Sequence, residues 1–146
     1  MIVKFSLCLR GKSNRNALPF RYSYFADPSK LKKEVNNLLR NTANEIYFSA
    51  VSIQEIAIKS RLDRNDYSFE PTVIADVAQN EVGFLPLVVT IEHSLSYYKL
   101  PKVKHRDPFD LMLVAQARYE GMILITNDEA LLTQFVDLSE YLLSNR

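Results

Sequence analysis

Three short stretches place carboxylates where a strand hands over to a helix. The first is Ser49-Ala50-Val51-Ser52-Ile53-Gln54-Glu55, with Glu55 one turn into its helix. The second is His105-Arg106-Asp107-Pro108-Phe109-Asp110, at the start of the longest helical pattern. The third is Ile125-Thr126-Asn127-Asp128, directly after a strand pattern. Each also has an ordinary structural explanation. Ser52 and Glu55 fit a capping box. Asp107 before Pro108 reads as an N-cap, Asp110 sits where a helix dipole favours an anion, and Asp128 can cap its own helix. Together they imply more. Carboxylates held close repel one another, and burying them unpaired is costly. A bound divalent cation resolves this. Oxygen ligands without a nearby His/Cys pair favour Mg²⁺ or Mn²⁺ over zinc. Such a centre suits phosphodiester hydrolysis, because the ion acidifies a bound water and offsets charge developing on the phosphate.

Other chemistries find little support. The chain has no GxGxxG, no P-loop, no CxxC and no nucleophile elbow. Cys8 reads as a small buried apolar residue. His93 and His105 lack metal-ligand spacing, and His93 reads as packed or as capping the helix after Thr90. His105, following Lys102 and Lys104 and preceding Arg106, is a candidate for touching phosphate, although the same run also fits a solvated loop.

Elements that would position these acids follow from the pattern. Ile2 to Leu9 reads as a strand and Gly11 to Asn16 as a loop. Asp27-Pro28 starts a helix reaching Arg40, with Leu31, Val35, Leu38 and Leu39 on one face. Ile46 to Ala50 is a strand, and Ser52 opens a helix to about Ser60. A helix from Pro71 ends before Gly83. Phe84 to Val89 is a strand, bent or at an edge because of Pro86. Thr90 caps a helix to about Tyr98, Leu100 to Arg106 is a basic loop, and Asp107-Pro108 starts the helix that stops at Gly121. Met122 to Thr126 is a strand, and Asp128 caps the next helix. This alternation predicts an α/β fold with a mostly parallel sheet and helices on both faces. Ligands then sit outside the carboxyl ends of the strands, where the acids are.

The 146-residue length suits one domain over 1–146. Hydrophobic residues make up 47% and charged residues 24%, which excludes a disordered chain. No apolar run is long enough to span a bilayer. One cysteine and no signal-peptide pattern point to a reducing, cytoplasmic setting. The net charge of +1 is unevenly spread. Residues 1–26 hold five basic side chains and no acid, whereas the rest hold 13 basic and 17 acidic ones. Such an arm suits phosphate binding, and equally a chance run in a short segment.

From about Tyr24 to Phe135 the chain resembles PIN-domain ribonucleases of the VapC toxin type. The resemblance is carried by Phe25-Ala26-Asp27-Pro28-Ser29-Lys30-Leu31, by Ile46 to Lys59, and by Gly83-Phe84-Leu85-Pro86-Leu87. It continues through His93, Leu100-Pro101, His105 to Asp110, Val114-Ala115-Gln116-Ala117 and Leu124 to Asp128. It implies a three-layer α/β/α sandwich and Mg²⁺- or Mn²⁺-dependent endonucleolytic cleavage of RNA. The implied partners are a cognate antitoxin and a second copy in a homodimer, with no membrane. By the matching motifs, Glu55, Asp110 and Asp128 would be catalytic metal-site acids. Asp107, Thr126 and Asn127 would be accessory, and Lys104, His105 and Arg106 would meet the RNA.

One departure matters. The family opens with a strand ending in an Asp, and the corresponding position here is Ala17; residues 1–26 contain no Asp or Glu. Residues 1–22 are atypical, and a shifted reading frame rejoining near Tyr22 would explain the abrupt onset. The expected function is therefore a toxin-type endoribonuclease with a weakened metal site. The alternative is a catalytically degenerate domain that binds protein or RNA. A phospho-accepting receiver domain needs an acidic pair after its first strand, which the acid-free start excludes. Tyr22, Tyr24 and Phe25 read as core, or as a partner groove. Tyr97-Tyr98 reads as a half-buried helix end rather than a base-stacking platform.

Overall fold

The structure, a computed structural model, describes residues 7–11, 28–62 and 70–145. Its strands are β1 (Leu7–Gly11), β2 (Asn44–Ser49), β3 (Leu85–Leu87), β4 (Ile123–Thr126) and β5 (Leu142–Ser144). Its helices are α1 (Lys33–Arg40), α2 (Ala50–Arg61), α3 (Pro71–Asp76), α4 (Ile91–Tyr98), α5 (Pro108–Glu120) and α6 (Glu129–Gln134). A wider helical turn, Val77–Glu81, extends α3. Short tight turns of helix cover Pro28–Lys30 and Val136–Tyr141.

The five strands form one sheet in the order β3-β2-β1-β4-β5. β2 pairs with β3 and β4 with β5 in parallel, so four strands share one direction about the central β1. β1 runs against both of its neighbours. Leu7 therefore faces Phe48 and Ile125 near the carboxyl ends of β2 and β4, while Gly11 faces Asn44 at the opposite edge. Of the strand expected over Ile2 to Leu9, residues 2–6 lie outside the described residues; the described strand continues to Gly11, where the sequence pattern predicts the start of a loop. Strand sense is set by long-range pairing, which local periodicity does not encode. The expected cap Asp27 and the aromatic group Tyr22, Tyr24 and Phe25 lie outside the described residues.

Alternation along the strands builds two cores on opposite faces. Ile46 and Phe48 of β2 join Val35 and Leu39 of α1, with Val77, Ala78, Val82 and Phe84. Leu124 of β4 joins Leu113, Val114 and Ala117 of α5, with Leu131 and Phe135. Helices therefore cover both faces of the sheet, giving the α/β/α layering. Cys8 is buried in the second core. Burial, and secondarily the charge of Glu120, pushes its thiol up to about 12. Native protein should resist iodoacetamide at pH 8, whereas unfolded chain should be alkylated at once. Above pH 9 the unfolded thiol ionises and the folded one does not. Stability should therefore fall as pH rises from about 9 toward 12.

Helix ends follow local chemistry. Asp107 Oδ1 accepts from the N–H groups of Phe109 (2.9 Å) and Asp110 (3.4 Å), with Pro108 at the first helical position. Gly121 ends α5 at φ 64°, where a side chain is strained. Thr90 and His93 form a capping box: each side chain accepts the other's backbone N–H. At α2 the cap is Ser49, whose Oγ accepts from Val51 N–H at 3.0 Å. The expected Ser52–Glu55 capping box does not form, because the helix begins at Ala50 and puts Ser52 inside it.

Candidate metal centre

At the carboxyl edge of the sheet α2 follows β2 and α6 follows β4, and the start of α5 meets the start of α6 there. Asp110 lies in the first turn of α5 and is only 2% exposed. His105 precedes that helix, and its Nε2 lies 2.9 Å from Asp110 Oδ2. The loop is fixed there, because His105 N–H donates to Gln134 Oε1 at 2.7 Å. Asp128 follows β4 and caps α6, its Oδ1 accepting from Ala130 N–H (2.8 Å) and Leu131 N–H (3.3 Å). Buried Thr126 sets the turn: its Oγ1 accepts from Asp128 N–H at 3.1 Å.

One potential ligand atom each from His105, Asp110 and Asp128 lies within 4.8 Å of the others. This is a compact mixed set of one imidazole and two carboxylates. Asn127, next to Asp128 in sequence, has a buried Oδ1 with no hydrogen-bond partner among the described residues, an acceptor free for a water. The donor set fits a divalent cation. It is not the oxygen-only set expected from the sequence, since an imidazole belongs to it.

Glu55 stands apart. It is buried on α2 and ion-paired with Lys59 one turn further on. It is not part of the three-residue group. Asp107 serves as the α5 cap. Lys104 and Arg106 are exposed on the loop, and His105 between them is half-buried and turned to Asp110.

A second polar assembly escaped the sequence reading. Fully buried Gln116 accepts from Ser49 Oγ–H at 2.6 Å and donates to the Val88 carbonyl at 3.1 Å. Its Nε2 is 3.5 Å from His93 Nδ1. Because that Nδ1 accepts from Thr90 N–H, the ring proton sits on Nε2 and is donated to Glu120 Oε1 at 2.9 Å. Arg10 of β1 pairs with Glu120 Oε2 at 2.9 Å. Gln116 thus ties the cap of α2 to the middle of α5, the helices that carry Glu55 and Asp110. No local motif marks this; the polar Gln116 within Leu113 to Ala117 was its only sign in the sequence.

The model of the PIN domain family matches residues 22–134. The chain belongs to the PIN domain family. No curated protein and no solved structure matches it. PIN domains are generally metal-dependent nucleases acting on RNA or DNA. The match begins close to where the resemblance begins, and it leaves β1 outside. In this PIN domain β1 presents its amino end, not its carboxyl end, to the acid-bearing edge. The family's opening Asp is not replaced by a residue at the carboxyl end of β1. Among the described residues, the third donor beside Asp110 and Asp128 is His105. No helix among the described residues is long and apolar enough to cross a membrane.

Proposed function

We propose that this PIN domain is a metal-dependent endoribonuclease, the toxin of a VapC-type toxin–antitoxin pair, confined to the cytoplasm. The observation that carries the reading is the convergence of His105, Asp110 and Asp128 at the carboxyl edge of the sheet. These three residues would hold one divalent cation. The ion would supply Lewis-acid stabilisation of the scissile phosphate and an acidified water. A ligand set with an imidazole favours Mn²⁺ over Mg²⁺, which prefers oxygen.

The chain's own residues divide the remaining work. Thr126 and the start of α6 hold Asp128 in place through three backbone N–H bonds. The α5 cap at Asp107 fixes Asp110, and Gln134 fixes His105. Lys104 and Arg106 would draw the RNA backbone toward the site. Glu55 would join through its helix position if Lys59 released it. On α4, Ile91, Leu95 and Tyr98 share one face and are 75%, 56% and 86% exposed. That apolar stripe would be covered in a homodimer or by the antitoxin.

The test is cleavage of labelled single-stranded RNA with Mn²⁺, with Mg²⁺ and with chelator. Mn²⁺-supported cleavage that chelator stops is the expected result. Binding of RNA without turnover in any metal would favour the degenerate reading. That alternative draws on the acid-free residues 1–26 and on the Glu55–Lys59 pair.

A further inference from the structure

An open groove of about 410 Å³ lies against the candidate centre and shares His105 with it. Tyr97, Leu100, Pro101, Lys102, Val103, His105, Arg106 and Leu111 line it. These come from the end of α4, the connecting segment and the first turn of α5. His105 is shared, lining the groove and contacting Asp110. Whatever fills the groove therefore lies beside the residues that would hold the metal.

The wall of this groove is built, not loose. Leu100, Val103 and Leu111 pack onto the second core. The carbonyl of Lys99 accepts from Arg118 at 3.2 Å, and His105 N–H is held by Gln134. Exposure alternates residue by residue from Lys102 to Asp107. Lys102, Lys104 and Arg106 face solvent, whereas Val103 and His105 turn inward. The Cα atoms of neighbouring members of this series are at most ~7 Å apart, an i, i+2 spacing. None of the three cations has a hydrogen bond or ion pair among the described residues. No carboxylate lines the groove among those residues.

An apolar groove with one aromatic wall and a cationic rim matches one chemistry. A nucleobase fills the apolar space, its flat face against an aromatic ring, and the flanking phosphates meet the cations. A base enters such a groove only when it is unstacked and unpaired, which a duplex does not offer. An acidic peptide would satisfy the cations but leave the apolar groove and Tyr97 unused.

We infer that this groove is a nucleotide subsite for single-stranded RNA. One base stacks on Tyr97, and Lys102 and Arg106 hold the adjoining phosphates. The next phosphodiester then lies at His105, Asp110 and Asp128. The choice of RNA rests on the endoribonuclease reading above. The subsite gives that reading a substrate form, a base splayed out of an unpaired strand. It also makes Tyr97 a binding residue rather than only a half-buried helix end.

The test is fluorescence anisotropy of a short fluorescein-labelled single-stranded RNA, with chelator present so that neither metal nor cleavage enters. Tyr97→Ala should weaken binding roughly 5- to 150-fold, the loss of one stacked base. Tyr97→Phe, which keeps the aromatic face, should bind like wild type. Tyr97→Leu keeps side-chain volume without the aromatic face and serves if the alanine variant fails to fold. Lys102→Ala/Arg106→Ala should lower the slope of log affinity against log salt by about 1.4, two phosphate contacts on a single strand. A duplex of the same sequence should bind more weakly and ignore Tyr97.

Wild-type affinity in both Tyr97→Ala and Tyr97→Leu would overturn the subsite. So would equal weakening for duplex and single strand. Mn²⁺ titration of the same proteins separates the two ideas. Tyr97-dependent RNA binding by a protein that takes no metal upholds the subsite and removes the nuclease. Metal-supported cleavage that is indifferent to Tyr97 removes the subsite alone.

Discussion

Asp110→Asn is expected to lower Mn²⁺-dependent RNA cleavage by more than ~100-fold. Changes outside the immediate ligands of a metal already cost 10–100-fold, and Asp110 would be a ligand itself. The substitution is close to isosteric, so the packing around this nearly inaccessible side chain is kept. The α5 start is also kept, because its cap belongs to Asp107. What changes is charge: one anion leaves a site already containing Asp128 within ligand distance. Two carboxylates so close oppose each other until a cation arrives. Relief of that repulsion offsets the weakened contact with His105 Nε2, so the metal-free variant should melt close to wild type. Initial cleavage rates with matched thermal melts check both parts. Lost activity with an unchanged melt places the residue in the metal site; a collapsed melt would mean that Asp110 holds the fold instead.

Gln116→Leu should destabilise the protein by about 3 kcal/mol and lower its melting temperature by roughly 10 °C. Leucine fills much the same volume, so no large cavity opens. The cost lies in the partners left behind. Ser49 Oγ–H loses its acceptor in a buried pair, and the Val88 carbonyl loses its donor in a part-buried one. Each such orphan costs about 1–3 kcal/mol. Because Ser49 also caps α2, its disturbance reaches the helix that carries Glu55. Differential scanning calorimetry reads the loss directly, and an unchanged melting temperature would show that the network contributes nothing net.

The elements that the sequence made legible are those governed by neighbouring residues. Asp107-Pro108, Thr90, Asp128 and Gly121 fix helix ends within one turn, and each is found where its residue type predicts. Pro86 marked a strand either bent or at an edge, and β3 lies at the edge of the sheet. Signals acting across the chain were not legible. The direction of β1 depends on its pairing with β2 and β4, residues that periodicity does not connect. Ser52 and Ser49 both precede helix-forming residues, and the helix begins at Ala50, which makes Ser49 its cap and puts Ser52 inside it. Asp110 was visible as an acid at a helix start and Asp128 as an acid after a strand. His105 was visible as a basic-loop residue that could touch phosphate, not as a metal ligand; its contacts with Asp110 and with Gln134, 29 residues away, are not marked in the local sequence.

Titration of Mn²⁺ into wild type and His105→Ala by isothermal calorimetry tests the central claim most directly. The claim is that His105, Asp110 and Asp128 together hold one divalent cation. It predicts saturable binding to wild type, weaker binding of Mg²⁺, and a loss of more than ~100-fold for Mn²⁺ in His105→Ala. Absence of binding to wild type, or equal Mn²⁺ affinity in the two proteins, would contradict it.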